Sequence, residues 1–151
     1  NYQKIAIKKT GPLIMLPIMG MFKCKEFDGD ECIALKEISE NLGLAYQWVN
    51  DIENFVGHGQ EPFSDLIYGH PNAIIIKFLE QYSLKDREKF RDIKVLRKAL
   101  SNHDFKNTID EIKNLLSESM MAVHRLPIVI QPIVINIKEE MMLRVDKHEK
   151  N

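Results

Sequence analysis

Apolar and polar positions recur at a helical rather than a strand period over most of the chain. The clearest run is Cys32 to Val56, where Ile33, Leu35, Ile38, Leu42, Ala45, Val49, Ile52 and Val56 mostly stand three or four positions apart. That spacing predicts one long amphipathic helix. Gly43 within it costs up to about 1 kcal/mol relative to alanine, so it should mark close packing or a bend. Ahead of it, Tyr2 to Lys9 reads as a short helical end. Pro12 to Phe22 reads as a helix apolar nearly all round, and so buried on most sides. Pro12 suits a first helical turn, and Pro17 should kink the helix if it is continuous. Phe27-Asp28-Gly29-Asp30-Glu31 is a turn whose acids favour a following helix start.

Beyond the long helix, Gly57-His58-Gly59-Gln60-Glu61-Pro62 is a stop signal. Phe63 to Tyr68 predicts a single helical turn, and Gly69-His70-Pro71 breaks it. Asn72 then caps a helix from Ala73 to Tyr82. Leu84 to Ser101 predicts a polar helix with Phe90, Ile93, Val95, Leu96 and Leu100 as its buried stripe. Ser101-Asn102-His103-Asp104 is a turn, and Phe105 to Arg125 is another amphipathic helix. Leu126 to Ile137 is conflicted: its β-branched residues favour a strand, while Pro127 and Pro132 resist a helix interior. Lys138 to Lys147 reads as helix. The fold class is therefore all-α, a helical bundle forming one domain over residues 1–151.

Composition narrows the function classes. The 151 residues are 44% apolar and 28% charged, with a formal net charge of −1. A nucleic-acid binder carries a clear positive excess, and this chain does not. Its apolar runs, Pro12 to Phe22 and Leu126 to Ile137, fall short of the ~20 residues that span a bilayer. Cys24 and Cys32 stand eight apart, which matches no common zinc spacing, so both read as thiols in a reducing cytosol. His58, His70, His103, His124 and His148 are dispersed without an HExxH pattern, and no glycine-rich phosphate loop is present. The Met120-Met121 and Met141-Met142 pairs read as core filler.

Three patches carry candidate chemistry. They are Lys9-Thr10; Tyr46-Gln47-Trp48-Val49-Asn50-Asp51-Ile52-Glu53-Asn54; and Ser64-Asp65-Leu66 followed by Gly69-His70-Pro71. Gln47, Asn50, Asp51 and Asn54 sit at i, i+3, i+4 and i+7, so they share one helix face. Taken singly, each patch has an ordinary explanation as solvent face, surface lysine or cap. A buried row of oxygen-bearing side chains needs partners, however, and a hydrated Mg2+ with a diphosphate would supply them.

In their order and separation these patches resemble the polyprenyl synthetase family, the isoprenyl diphosphate synthases or trans-prenyltransferases. That family carries a Lys-Thr pair opening a helix, matched by Lys9-Thr10. It then carries Phe-Gln and a second aspartate-rich motif, matched by Tyr46-Gln47 and Asn50-Asp51-Ile52-Glu53-Asn54. A Ser-Asp-Leu segment follows, matched by Ser64-Asp65-Leu66, and Gly43-Leu44-Ala45 is similar to the small-residue run before Phe-Gln. The resemblance covers about residues 2 to 82. It implies an isoprenoid-synthase-type bundle and a Mg2+-dependent transfer of an allylic prenyl group from its diphosphate to isopentenyl diphosphate or another acceptor. Asn50, Asp51 and Asn54 would then face the metal. Lys9 would stabilise the leaving diphosphate, with Thr10 and Gln47 orienting groups near the reacting carbons, and Tyr46, Asp65 and His70 would join the substrate site. The resemblance also implies a cytoplasmic protein that pairs as a homodimer or with a heteromeric partner.

The departures are specific. Asn50 and Asn54 replace two of the family's three aspartates, and Glu61 and His70 stand near positions where it usually has lysines. A degenerate motif beginning Asn50-Asp51 resembles the competence-pheromone isoprenyltransferase branch, whose acceptor is a peptide tryptophan. The first aspartate-rich motif would lie before Asn1, so the chain is expected to be the carboxyl-terminal part of a longer prenyltransferase. Two alternatives stay open: a non-catalytic or regulatory prenyl-synthase-like subunit, and a helical protein-interaction domain.

Overall fold

The computed structural model describes residues 2–21, 28–57, 61–102 and 105–149. Those residues form eight α-helices and two short 3-10 turns, and no strand occurs among them. The helices are α1 Tyr2–Met21, α2 Gly29–Val56, α3 Ser64–Tyr68, α4 Ala73–Glu80, α5 Leu84–Arg87, α6 Ile93–Leu100, α7 Lys106–Met121 and α8 Gln131–Glu149. Phe22, Cys24, Phe27, His58, Gly59, Gln60, His103 and Asp104 lie outside the described residues.

The long helix read from the sequence is α2, and it is the axis of the bundle. It starts three residues earlier than its periodicity predicts, because Asp28 and Glu31 form a reciprocal capping box. It ends where Gly57 turns left-handed (φ 81°) and returns its N–H to the Glu53 carbonyl. From Leu42 to Phe55 α2 is buried on most of its circumference, with α1, α3, α4, α7 and α8 packed around it. Ile33 and Val56, at its two ends, are exposed. Trp48 is a core residue with the Lys77 ammonium 4.0 Å from its ring centroid. Gly43 marks close packing rather than a bend: a Cβ there would stand 2.7 Å from the Gly11 nitrogen of α1.

Several sequence expectations change. Tyr2 to Lys9 and Pro12 to Met21 are one continuous helix, with Pro12 and Pro17 inside it. The face that packs on α2 sustains the helix through the lost N–H groups. That helix is also barer than its composition predicts: Leu13 and Leu16 are 66% and 63% exposed, because α1 packs chiefly on α2 alone. The single helix predicted over Leu84 to Ser101 is broken at Asp92, which turns extended and accepts the Lys94 N–H as a new N-cap. The break leaves Phe90, Leu96 and Leu100 buried but exposes Ile93 and Val95. The strand tendency of Leu126 to Ile137 is overridden. Pro127 opens a turn closed by the Ile130 N–H (2.8 Å), and α8 starts at Gln131 with Pro132 in its first turn, where an N–H has no helical partner. Alternating β-branched residues gain nothing without a neighbouring strand, whereas burying Ile130 and Val134 against the bundle does. Cys32 is a half-buried free thiol.

Candidate active site

The polar row on α2 faces inward. Asp51 is 1% exposed and Asn54 is buried, while Gln47, Asn50 and Glu53 are half-buried at the row's outer edge. Every one of these side chains has a protein partner. The Tyr2 hydroxyl, from the first turn of α1, donates to Asp51 Oδ2. The Ala73 N–H, at the start of α4, donates to the same oxygen at 2.7 Å, and Gln47 Nε2 donates to Oδ1 at 2.9 Å. Asn54 gives its Nδ2 to Ser64 Oγ (2.6 Å) and takes the Asp65 N–H on its Oδ1 (3.0 Å).

Asn72 closes the network. Its Oδ1 caps α4 by accepting the Ile74 N–H, as the sequence predicts. Its Nδ2 is shared between the Asp51 backbone carbonyl (3.1 Å) and Asp65 Oδ2 (2.9 Å). One row of side chains therefore joins α1, α2, α3 and α4. Burial pushes the Asp51 carboxyl above its ordinary pKa, and the donors from Tyr2, Ala73 and Gln47 pull it part of the way back. Burial, and then the Asp51 charge, hold the Tyr2 phenol protonated far above its usual range.

The outer edge has a different partner. Arg144 reaches from α8 and donates from Nη2 to Asn50 Oδ1 (2.6 Å) and to Glu53 Oε2 (2.6 Å), and from Nε to Glu53 Oε1 (3.0 Å). Its guanidinium carbon lies 5.1 Å from the Tyr46 ring centroid, and His148 Nε2 is 3.9 Å from Glu53.

These contacts test the metal expectation directly. The resemblance asks Asn50, Asp51 and Asn54 to present oxygens to Mg2+. Both Asp51 oxygens, the Asn50 oxygen and the Asn54 oxygen already accept hydrogen bonds from the protein. Two of the three residues also lack the charge that holds a divalent ion. As arranged, the set does not fit the ion, and no three His, Cys, Asp or Glu side chains converge as a metal group among the described residues. The physical reason is that buried polar atoms need partners, and neighbouring helices supply them.

The other sequence-derived residues are placed as follows. Lys9 is exposed and Thr10 is buried against α2, both mid-way along α1 rather than at a helix start. Lys9 follows Tyr2 by seven residues, so it lies on nearly the same face about two turns farther along. Tyr46 is at the open edge of α2. Asp65 belongs to the buried network, and His70, on the exposed turn after α3, holds its Nδ1 3.6 Å from Asp65 Oδ1. Sequence reasoning missed Tyr2 and Arg144. Tyr2 carried one usable signal, its two-turn spacing from Lys9. Arg144 carried none, being 94 positions from Asn50. A cleft of about 290 Å³, lined by Tyr2, Gln3, Trp48, Ala73, Ile76, Lys77 and Glu80, opens beside the network.

An all-helical assembly with such a row on its central helix belongs to the isoprenoid-synthase class of bundles. The family model of the polyprenyl synthetases matches residues 1–112 of the 151, and the chain belongs to that family. The match spans Lys9-Thr10, the α2 row and Ser64-Asp65, and ends within α7. No curated protein and no solved structure gave a significant match to the chain. No described helix is long and apolar enough to cross a membrane.

Proposed function

We propose that the chain forms the diphosphate-facing wall of a prenyltransferase that moves an allylic prenyl group from its diphosphate to isopentenyl diphosphate or to the tryptophan of a peptide. The observation that supports this most is the inward turn of the α2 row, which keeps Gln47 and Asp51 beside α1 rather than in bulk water. On this reading Asp51 holds Gln47 in place, Lys9 binds the leaving diphosphate, and Thr10 and Gln47 orient groups near the reacting carbons. Tyr46, Asp65 and His70 border the substrate. Mg2+, which the family generally uses, would neutralise the leaving diphosphate. The donor set on α2 does not fit that ion, and the roles above rest on this chain's own side chains. A cytoplasmic location, pairing as a homodimer or with a heteromeric partner, and a place in the carboxyl-terminal part of a longer enzyme belong to the same proposal.

A second reading has one observation in its favour. The fully engaged oxygens of Asn50, Asp51 and Asn54 suit a non-catalytic prenyl-synthase-like subunit that works only beside an active partner. Family membership takes precedence over an unrelated helical interaction domain.

The test is diphosphate release from an allylic prenyl diphosphate, with isopentenyl diphosphate or a tryptophan peptide as acceptor. An active enzyme releases diphosphate, and Lys9→Ala and Gln47→Ala each cut the rate on the order of 10²–10³-fold, the scale of losing one donor to a developing anion. Release seen only with an added partner subunit selects the second reading. Variants as fast as the parent would remove Lys9 and Gln47 from the site.

A further inference from the structure

We propose that the outer edge of the α2 row is closed by a resident cation: the Arg144 guanidinium of α8 takes the Asn50 oxygen that the family resemblance offers to a divalent metal ion, together with the neighbouring Glu53 carboxylate. The contacts are those of a bound cation. Asn50 gives its only side-chain acceptor to Nη2 at 2.6 Å, and Glu53 takes the guanidinium in a two-pronged pair at 3.0 and 2.6 Å. Planar pairing of this kind is specific to arginine. Glu53 and Arg144 are both about four-fifths buried, so the pair is shielded from salt far better than a surface bridge. The Tyr46 ring flanks the guanidinium as a further neutral cation-binding surface.

The charges agree with the geometry. Near this face stand three carboxylates, Asp51, Glu53 and Asp65. Asp51 is turned into the core and used by Tyr2, Gln47 and Ala73. Glu53 is balanced one-for-one by Arg144. Asp65 accepts the Asn72 amide on Oδ2 and has His70 Nδ1 3.6 Å from its Oδ1. Each carboxylate is thus engaged, and the guanidinium repels a divalent ion that approaches. The replacement of aspartate by asparagine at position 50 then has a chemical sense. A neutral carboxamide oxygen accepts one guanidinium hydrogen without adding a second negative charge to the Glu53–Arg144 pair. Arg144 lies beyond residues 1–112, the span the family model matches, so the cation comes from a part of the chain the motif comparison does not reach. The proposal stands on these contacts and does not depend on turnover.

The test titrates the whole chain with Mn2+ alone, read by electron paramagnetic resonance. The parent should show no saturable site. Restoring the carboxylates with Asn50→Asp and Asn54→Asp while keeping Arg144 should leave binding weak. Adding Arg144→Met, which keeps the aliphatic stem, should raise Mn2+ affinity on the order of 10–100-fold. Circular dichroism and melting curves confirm that each variant is folded; Arg144→Gln replaces Arg144→Met if the latter is not. Saturable Mn2+ binding by the parent would overturn the proposal. So would equal Mn2+ behaviour, binding or not, of the double-aspartate variants with and without Arg144.

Discussion

Replacing Asp51 with alanine is expected to destabilise the protein by about 3 kcal/mol or more, because it leaves buried donors without an acceptor. The Tyr2 hydroxyl, the Ala73 N–H and the Gln47 amide all end on this carboxylate. Those donors come from α1, α4 and α2 itself, so the loss is shared by three helices. Equilibrium urea unfolding should show a lower midpoint. Hydrogen exchange should speed first at the start of α4, where the Ala73 N–H loses its acceptor. Any prenyl-transfer activity should go with it. A change of less than 1 kcal/mol would mean the network is not closed as described. The pH dependence has a definite sign. Burial raises the folded carboxyl's pKa, so its contribution to stability is complete below the unfolded value and is lost as pH rises through the raised value. The alanine variant should lack that slope.

Replacing Gly43 with alanine is expected to cost about 1–3 kcal/mol, the usual scale for overpacking. Helix propensity alone predicts the opposite sign, a gain of up to about 1 kcal/mol. The two effects compete, and the contact distances decide. A Cβ at position 43 would meet the Gly11 nitrogen at 2.7 Å, the Gly11 Cα at 3.0 Å and the Thr10 carbonyl carbon at 3.0 Å, all backbone atoms that cannot rotate away. Relief requires α1 to move off α2, which stretches the Tyr2–Asp51 link farther along the same helix pair. Gly43→Ala should therefore also weaken the coupling measured between Tyr2→Phe and Asp51→Ala in a double-mutant cycle. A stabilised Gly43→Ala protein would show that the two backbones do not approach this closely.

Much of this was legible in the sequence, for identifiable reasons. The core axis α2 is long enough for its 3–4 periodicity to stand out, and Asn72 announced its cap because a side-chain acceptor before an apolar run has few other uses. Helix spacing put Gln47, Asn50, Asp51 and Asn54 on one face but left a solvent face open; that the row turns inward was implied by the family resemblance. Neither revealed the partners of that row. Hydrogen-bond donors from Tyr2 and Ala73 arrive from helices whose docking depends on the whole assembly, and Arg144 arrives from the other end of the chain. A buried oxygen row signals that partners exist, not whether they are metal, ligand or protein. Two departures in secondary structure share a cause. Pro12 and Pro17 in α1, and the β-branched run before α8, oppose helix locally, and packing on the bundle overrode them. In Leu84 to Ser101 the error ran the other way, since Asp92 offers a cap that a continuous helical pattern conceals.

Under the proposed function, the inward α2 row and the adjoining face of α1 together receive a prenyl diphosphate. Chemical-shift mapping of the labelled chain with an allylic prenyl diphosphate tests it without requiring turnover. Saturable shifts are expected at Lys9, Thr10, Tyr46, Gln47 and Asn50. Saturable binding that leaves those five signals unmoved, or no binding at millimolar ligand, would contradict it.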